Sequence, residues 1–208
     1  MSVKARRRTS SGKRARGIRH GGRGWLIGAG VVGAIALLVV LSSTLSGPAA
    51  VGEDRLASGS SGVPDVPVIV YQGEELVGTS NVSLGSLGNG KPVVLNYWAS
   101  NCAPCTAEMP EFQKVWEKYQ DRVLFFGLDV GRFSGFGSPE RSKQELKELG
   151  ITYPAGTIPD IEAAYRLQVR GLPSTVFIAA DGRVQRTWVG ILNESKLTEI
   201  VESLLRAS

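Results

Sequence analysis

Pro92-Val-Val-Leu-Asn-Tyr-Trp98, running on into Ala99-Ser-Asn-Cys102-Ala-Pro-Cys105-Thr-Ala-Glu108, is the stretch that decides the fold. Its first part is β-branched and aromatic and carries no charge, which predicts a buried strand. Its second part opens a helix near Cys102 that continues to about Tyr119, with Phe112, Val115, Trp116 and Tyr119 at helical spacing. The Cys-x-x-Cys pair therefore falls where a strand passes into a helix. There the first cysteine meets unpaired backbone N–H groups and the positive end of the macrodipole, which stabilise a thiolate. The second, one turn along, is near enough to close a disulfide or release a mixed-disulfide partner. Pro104 limits backbone freedom between them.

Working outward, Val66–Tyr71 reads as a first strand and Arg122–Val130 as the strand after the helix. Ser138-Pro139 has the form of a cap followed by proline at the first helical position, and this helix ends at Gly150. Asp160 caps a short helix over Ile161–Leu167. Thr175–Ala179 and Val184–Ile191 flank the hairpin signal Asp181-Gly182. Asn193 caps a final amphipathic helix to Leu205. The plan is α/β, with a central mixed β-sheet flanked by helices.

The chain has 208 residues, two Cys, one His and a net charge of +5. The charge is unevenly placed. Nine of the 24 basic residues and none of the 19 acidic ones lie in residues 1–52, so that segment carries +9 and the rest −4. Trp25–Leu45 is an uncharged run of 21 residues. As a helix it spans roughly 30 Å, the thickness of a bilayer core. With the basic block before it, it predicts one transmembrane signal-anchor helix (25–45), a cytoplasmic tail (1–24) and an outward-facing remainder. A cleaved signal peptide is the competing reading, disfavoured by the length of the run. Residues 46–64, rich in Gly, Ser, Ala and Pro, read as a flexible linker, and 65–208 as the folded domain. Gly28-Ala-Gly30-Val-Val-Gly33 matches a dinucleotide-binding pattern, but a polybasic tail precedes it instead of a strand, so glycine packing in a membrane helix explains it better. The same topology signal explains the basic tail without nucleic acid.

The Cys pair has several readings by itself. Two Cys and one His cannot complete a structural zinc site. Haem attachment needs His after the second cysteine, and Thr106 stands there. A tethered copper-binding or redox-sensing module remains open, although the domain has no His, and so does a purely structural disulfide. Catalytic dithiol chemistry fits the strand–helix placement best.

Longer motifs narrow the choice. Gly90-Lys-Pro-Val-Val-Leu-Asn-Tyr-Trp-Ala-Ser through Cys102-Ala-Pro-Cys105-Thr-Ala-Glu108-Met-Pro110 resembles the membrane-anchored TlpA/ResA-like thioredoxin family. So do Gly150-Ile-Thr-Tyr-Pro154, Gly171-Leu172-Pro173-Ser-Thr-Val-Phe-Ile178, Asp181-Gly182 and Gly190. The resemblance covers about residues 63–206 and implies a thioredoxin-like fold. It makes Cys102 the attacking thiolate and Cys105 the resolving thiol of a redox-active disulfide, with Glu108 as a carboxylate that takes the buried thiol's proton. It places Leu172 and a cis Pro173 opposite the disulfide at the substrate edge. Trp98, Pro104 and Asn96 become structural neighbours of the site. A solvent-facing Glu108 is the plainer alternative. Asn101 departs from the family's Trp before the first cysteine, and Asn96 stands where cytosolic thioredoxins carry Asp. The loop Arg132–Ser138 reads as mobile with one Phe tucked inward, and Asp129 as a residue at the same edge. The implied activity is extracytoplasmic reduction of protein disulfides, notably of apocytochrome c in cytochrome c maturation. A transmembrane donor of CcdA/DsbD type would supply electrons, and no cofactor is expected. A disulfide-introducing oxidase is the reverse direction of the same chemistry.

Overall fold

The computed structural model describes residues 52–56 and 62–207. The apolar run 25–45 lies outside them. Among the described residues no helix is long and apolar enough to cross a membrane.

Eight strands form one mixed sheet in the order β1-β8-β7-β4-β5-β6-β2-β3. They are β1 (Gly52–Leu56), β2 (Pro67–Gln72), β3 (Asn81–Ser83), β4 (Val93–Trp98), β5 (Leu124–Asp129), β6 (Ala155–Thr157), β7 (Ser174–Ile178) and β8 (Val184–Gly190). The helices are α1 (Glu74–Val77), α2 (Ala103–Tyr119), α3 (Gly131–Ser134), α4 (Pro139–Glu148), α5 (Ile161–Leu167) and α6 (Glu194–Arg206), with a 3-10 turn at Leu84–Ser86.

Strand β4 lies at the centre, with all six residues buried, as an uncharged run between two helical layers requires. It pairs in parallel with β5 through the α2 crossover, and antiparallel with β7. Alternate β4 side chains feed two cores. Val94 and Trp98 pack with Phe112 and Val115 of α2, Leu146 of α4, and Ile200 and Leu204 of α6. Val93, Leu95 and Tyr97 face the other way, with Leu84, Ala163 and Leu167. Ser138, Asp160 and Asn193 cap α4, α5 and α6 as the sequence predicts, each accepting a backbone N–H three residues on.

Residues 52–56 correct one expectation. Read as part of the flexible linker, they form β1 and pair antiparallel with β8 from Gly52–Gly190 to Leu56–Arg186. An edge strand can be held by backbone hydrogen bonds, so a polar stretch such as Gly-Glu-Asp-Arg-Leu supplies one without a hydrophobic pattern. The short β3 and β6 and helices α1 and α3 also lay beyond the sequence reading.

Candidate active site

The carboxyl end of β4 delivers the chain to the head of α2. Asn101 N–H donates to the Phe136 carbonyl (2.9 Å) and Cys102 N–H to that of Ala99 (3.2 Å), which fixes the turn. Cys102 is the N-cap of α2, with extended backbone, and its carbonyl accepts from the N–H groups of Cys105 and Thr106. Pro104 sits in the first turn, where a missing N–H costs nothing. Pro110 lies inside the helix, which continues through it to Tyr119.

Cys102 and Cys105 form a disulfide. The two sulfurs differ in access. Cys102 is 7% exposed and lines a groove of about 550 Å³, whereas Cys105 has no exposed surface. The groove is mostly apolar. Its lining includes Pro104 and Leu172, Phe133 and Phe136 from the segment after β5, and Ile161 and Tyr165 of α5. Phe136 and Tyr165 are largely exposed, while Phe133 packs partly into the core, so one Phe of the loop is tucked inward. The Leu172–Pro173 peptide bond is cis. The Pro173 carbonyl accepts from Gly190 N–H (2.9 Å) and Ser174 Oγ donates to Gly171 O (2.6 Å), tying this loop to β8 and to itself.

Glu108, one turn beyond Cys105, is 1% exposed, which excludes the solvent-facing alternative. Asn96 Nδ2 donates to its Oε1 (2.8 Å) and Leu192 N–H to its Oε2 (2.9 Å). Asn96 spends its other N–H on Thr175 Oγ1 (3.2 Å). Burial pushes the Glu108 carboxyl up to about 8, against the smaller downward pull of the Leu192 and Asn96 donors. Asn96 therefore acts as a neutral clamp on Glu108. Trp98 is wholly buried beneath the site. Asp129 is also fully buried, and its Oδ1 accepts from Gly131 N–H (2.8 Å) at the entry to α3.

Four contributors had no sequence signal of their own. Leu192 acts through its backbone, 84 residues from Glu108. Thr175 was read only as the first residue of a strand. Ile161 and Tyr165, about sixty residues from Cys102, line the groove only through the tertiary placement of α5. Among the described residues, no cluster of His, Cys, Asp or Glu is arranged to hold a metal ion.

A strand–helix junction carrying a Cys-x-x-Cys disulfide, faced by a cis-proline loop and backed by a buried carboxyl, defines a dithiol–disulfide domain of the thioredoxin-like class. The chain belongs to that family, whose thioredoxin-like domain model matches residues 86–205. The chain is 31% identical over 123 residues to the thiol-disulfide oxidoreductase ResA of Oceanobacillus iheyensis, a match covering 59% of this chain and 62% of that protein. It thus spans less than two thirds of that relative's length. ResA of Bacillus subtilis is 25% identical over 164 residues, covering 78% of this chain and 84% of the relative. These are relatives of the kind the sequence resemblance pointed to. The crystal structure of a DsbF homologue from Corynebacterium diphtheriae shares the fold, with a TM-score of 0.58 at 22% identity over 76% of this chain and 97% of that one.

Proposed function

We propose that the chain is a thiol–disulfide oxidoreductase that reduces disulfides of protein substrates, tethered outside the cytoplasmic membrane by residues 25–45. The observation that carries the chemistry is the asymmetry of the pair, with Cys102 lining the groove and Cys105 sealed one helical turn before the buried Glu108.

In the reduced protein the Cys102 thiolate, at the head of α2, attacks a substrate disulfide. A Cys102–substrate bond forms and one substrate sulfur leaves with its electron pair, taking a proton from solvent. Cys105 then gives its proton to Glu108 in its ionised form, whose share grows as pH rises toward 8, and attacks Cys102 Sγ. The Cys102–Cys105 disulfide closes and the second substrate sulfur departs. Two electrons have passed to the substrate. A carboxyl raised to about 8 is a far stronger base toward a thiol than an ordinary carboxylate, which suits Glu108 to take the proton.

The apolar groove suits an extended peptide carrying a large apolar residue beside its cysteine. Reduction of apocytochrome c, and re-reduction by a transmembrane thiol protein of CcdA/DsbD type, come from the family resemblance. The tether and its direction come from the apolar run and the nine basic residues before it.

The test is trapping. Cys105→Ser should accumulate a mixed disulfide with a peptide disulfide through Cys102, read by mass spectrometry. A trapped adduct on neither sulfur, or one that persists in Cys102→Ser, contradicts the assignment.

A further inference from the structure

Behind the disulfide lies a row of polar groups that no step above uses. Trp98 on β4, Asp129 at the end of β5 and Tyr153 just before β6 are each 1% exposed or less. Tyr71 of β2 packs against the core that holds Cys105, Trp98 and Tyr153. The Tyr71 and Tyr153 hydroxyls, the Trp98 Nε1–H and Asp129 Oδ2 are all shut off from solvent and find no protein hydrogen-bond partner. An unpaired buried polar group costs about 1–3 kcal/mol. Groups of this kind are met by ordered internal water.

The groups sit on or just beside four neighbouring strands, β4, β5, β6 and β2. Trp98 pairs with Asp129 across β4 and β5, and Gln72, next to Tyr71, donates from Nε2 to the Tyr153 carbonyl (2.8 Å). In keeping with that placement, the Glu108 carboxylate raises the Tyr153 hydroxyl, and Asp129 and Tyr153 raise that of Tyr71, each adding to a larger effect of burial. Gly127 of β5 forms the floor between them. A Cβ there would stand 3.2 Å from Trp98 Nε1 and 3.3 Å from Tyr153 Cε2, so the missing side chain is what lets indole and phenol converge. At the far end α4 brings solvent near. Burial raises the Asp129 carboxyl, Gly131 N–H and then Ser142 lower it, and Glu140 raises it. Ser142 acts from nearby, since its hydroxyl has no partner at hydrogen-bond geometry. Lys143 Nζ lies 5.4 Å from the Tyr71 ring centroid.

The chemistry needs such a row. Cys105 and Glu108 are sealed, and each Glu108 oxygen already accepts one hydrogen bond. A proton passed from Cys105 to Glu108 has no direct way to bulk water. Tyrosine hydroxyls held above their ordinary range stay neutral, so each can accept a proton on oxygen while releasing its own.

Resting on the dithiol reading above, we propose that Tyr153, Tyr71 and Asp129, bridged by buried water, form a proton path from Glu108 to the solvent side of α4. When Cys105 attacks Cys102, the Cys105 proton goes to Glu108, the sulfur–sulfur bond forms, and the substrate sulfur leaves with the electron pair. The proton on Glu108 then moves by successive O–H exchanges to Asp129 and out past Ser142. No electron moves along the row. The groups facing Glu108 are Cys105 on its own helix, Asn96 on β4, Leu192 N–H before α6, and Tyr153. Those facing the far end are Gly131 N–H, Ser142, Glu140 and Lys143.

Tyr153→Phe and Tyr71→Phe test this in the full-length protein, because each removes only a hydroxyl without a protein partner. The reduced variants are mixed with a peptide disulfide in single turnover over roughly pH 5.5 to 9. Mixed-disulfide formation is measured separately in a Cys105→Ser background. The expected result is resolution slowed about tenfold or more below about pH 8, with mixed-disulfide formation unchanged. Resolution rates that superimpose on those of the unmodified protein at every pH overturn the path. So does an equal slowing of both phases with a lowered melting temperature, which marks a structural role. A second measurement needs no variant: infrared difference spectra across the ionisation of Glu108 should show shifted tyrosine ring modes, and unshifted modes overturn the path. If Cys105→Ser traps no adduct, the dithiol reading itself fails and the path with it. If it traps one and the Phe variants match the parent, only the path fails.

Discussion

Replacing Glu108 by Gln should change how stability depends on pH, and the size follows from the site. The buried carboxyl sits at about 8 in the folded chain. In the unfolded chain it returns to roughly 4.5. The native state therefore holds the proton over a span of about 3.5 pH units in which the unfolded state has released it, and each unit is worth about 1.4 kcal/mol. The contribution is fully present below about pH 4.5, declines as pH rises, and is lost by about pH 8, for a total near 5 kcal/mol. The substituted amide would not titrate. Its oxygen can still accept from one of Asn96 and Leu192, but its own NH₂ would oppose the other donor, at about 1–3 kcal/mol. The variant should thus be the less stable protein near pH 4.5 by about 1–3 kcal/mol and the more stable one above pH 8 by about 2–4 kcal/mol. Guanidinium unfolding of both proteins with the disulfide intact, from about pH 4.5 to 9, measures this difference. Asp129 and the buried tyrosines titrate in both and cancel in the difference. A difference that stays constant within about 1 kcal/mol across that range would refute the claim that burial holds this carboxyl protonated.

The packing and the groove can be tested in the same way. Phe112 meets Phe125 edge-on, with ring centroids 6.3 Å apart, at the centre of the α2-side core. Phe112→Ala should lower the unfolding free energy by about 3–5 kcal/mol in denaturant titrations, and a loss under about 1 kcal/mol would contradict that packing. Tyr165 and Phe136 line the groove and are 76% and 49% exposed. Replacing both by Ala should reduce kcat/KM for a peptide disulfide about fivefold or more while leaving reduction of Cys102–Cys105 by dithiothreitol unchanged; equal losses in both assays would remove the groove from substrate binding.

The middle strand of the sheet, the helix that follows it and the Cys pair between them were legible because each leaves a local signal. The six residues of β4 are uncharged, and Cys102 and Cys105 declare themselves by spacing. Caps at Ser138, Asp160 and Asn193 act within three residues, so they too can be read in one dimension. Elements held by backbone pairing alone could not be read this way. β1 is a polar edge strand, and β6 is only Ala155-Gly-Thr157, wedged between β5 and β2 without room for an alternating pattern. The environment of Glu108 was half legible. Its position one turn from Cys105 and the proximity of Asn96 follow from motif and likeness. The Leu192 N–H, Thr175 and the row from Tyr153 to Asp129 depend on which distant segments the fold brings together. Asp129 shows the limit well, since the sequence puts it at the right edge of the sheet but not in a buried row.

Whether the domain gives electrons or takes them is decided by the reduction potential of the Cys102–Cys105 pair. Equilibration of the purified protein with glutathione or dithiothreitol buffers, read by alkylation of free thiols, gives the value. A reductase requires a potential near that of thioredoxin, about −270 mV or lower. A value near −120 mV would make the disulfide a donor of oxidising equivalents and contradict the proposed function.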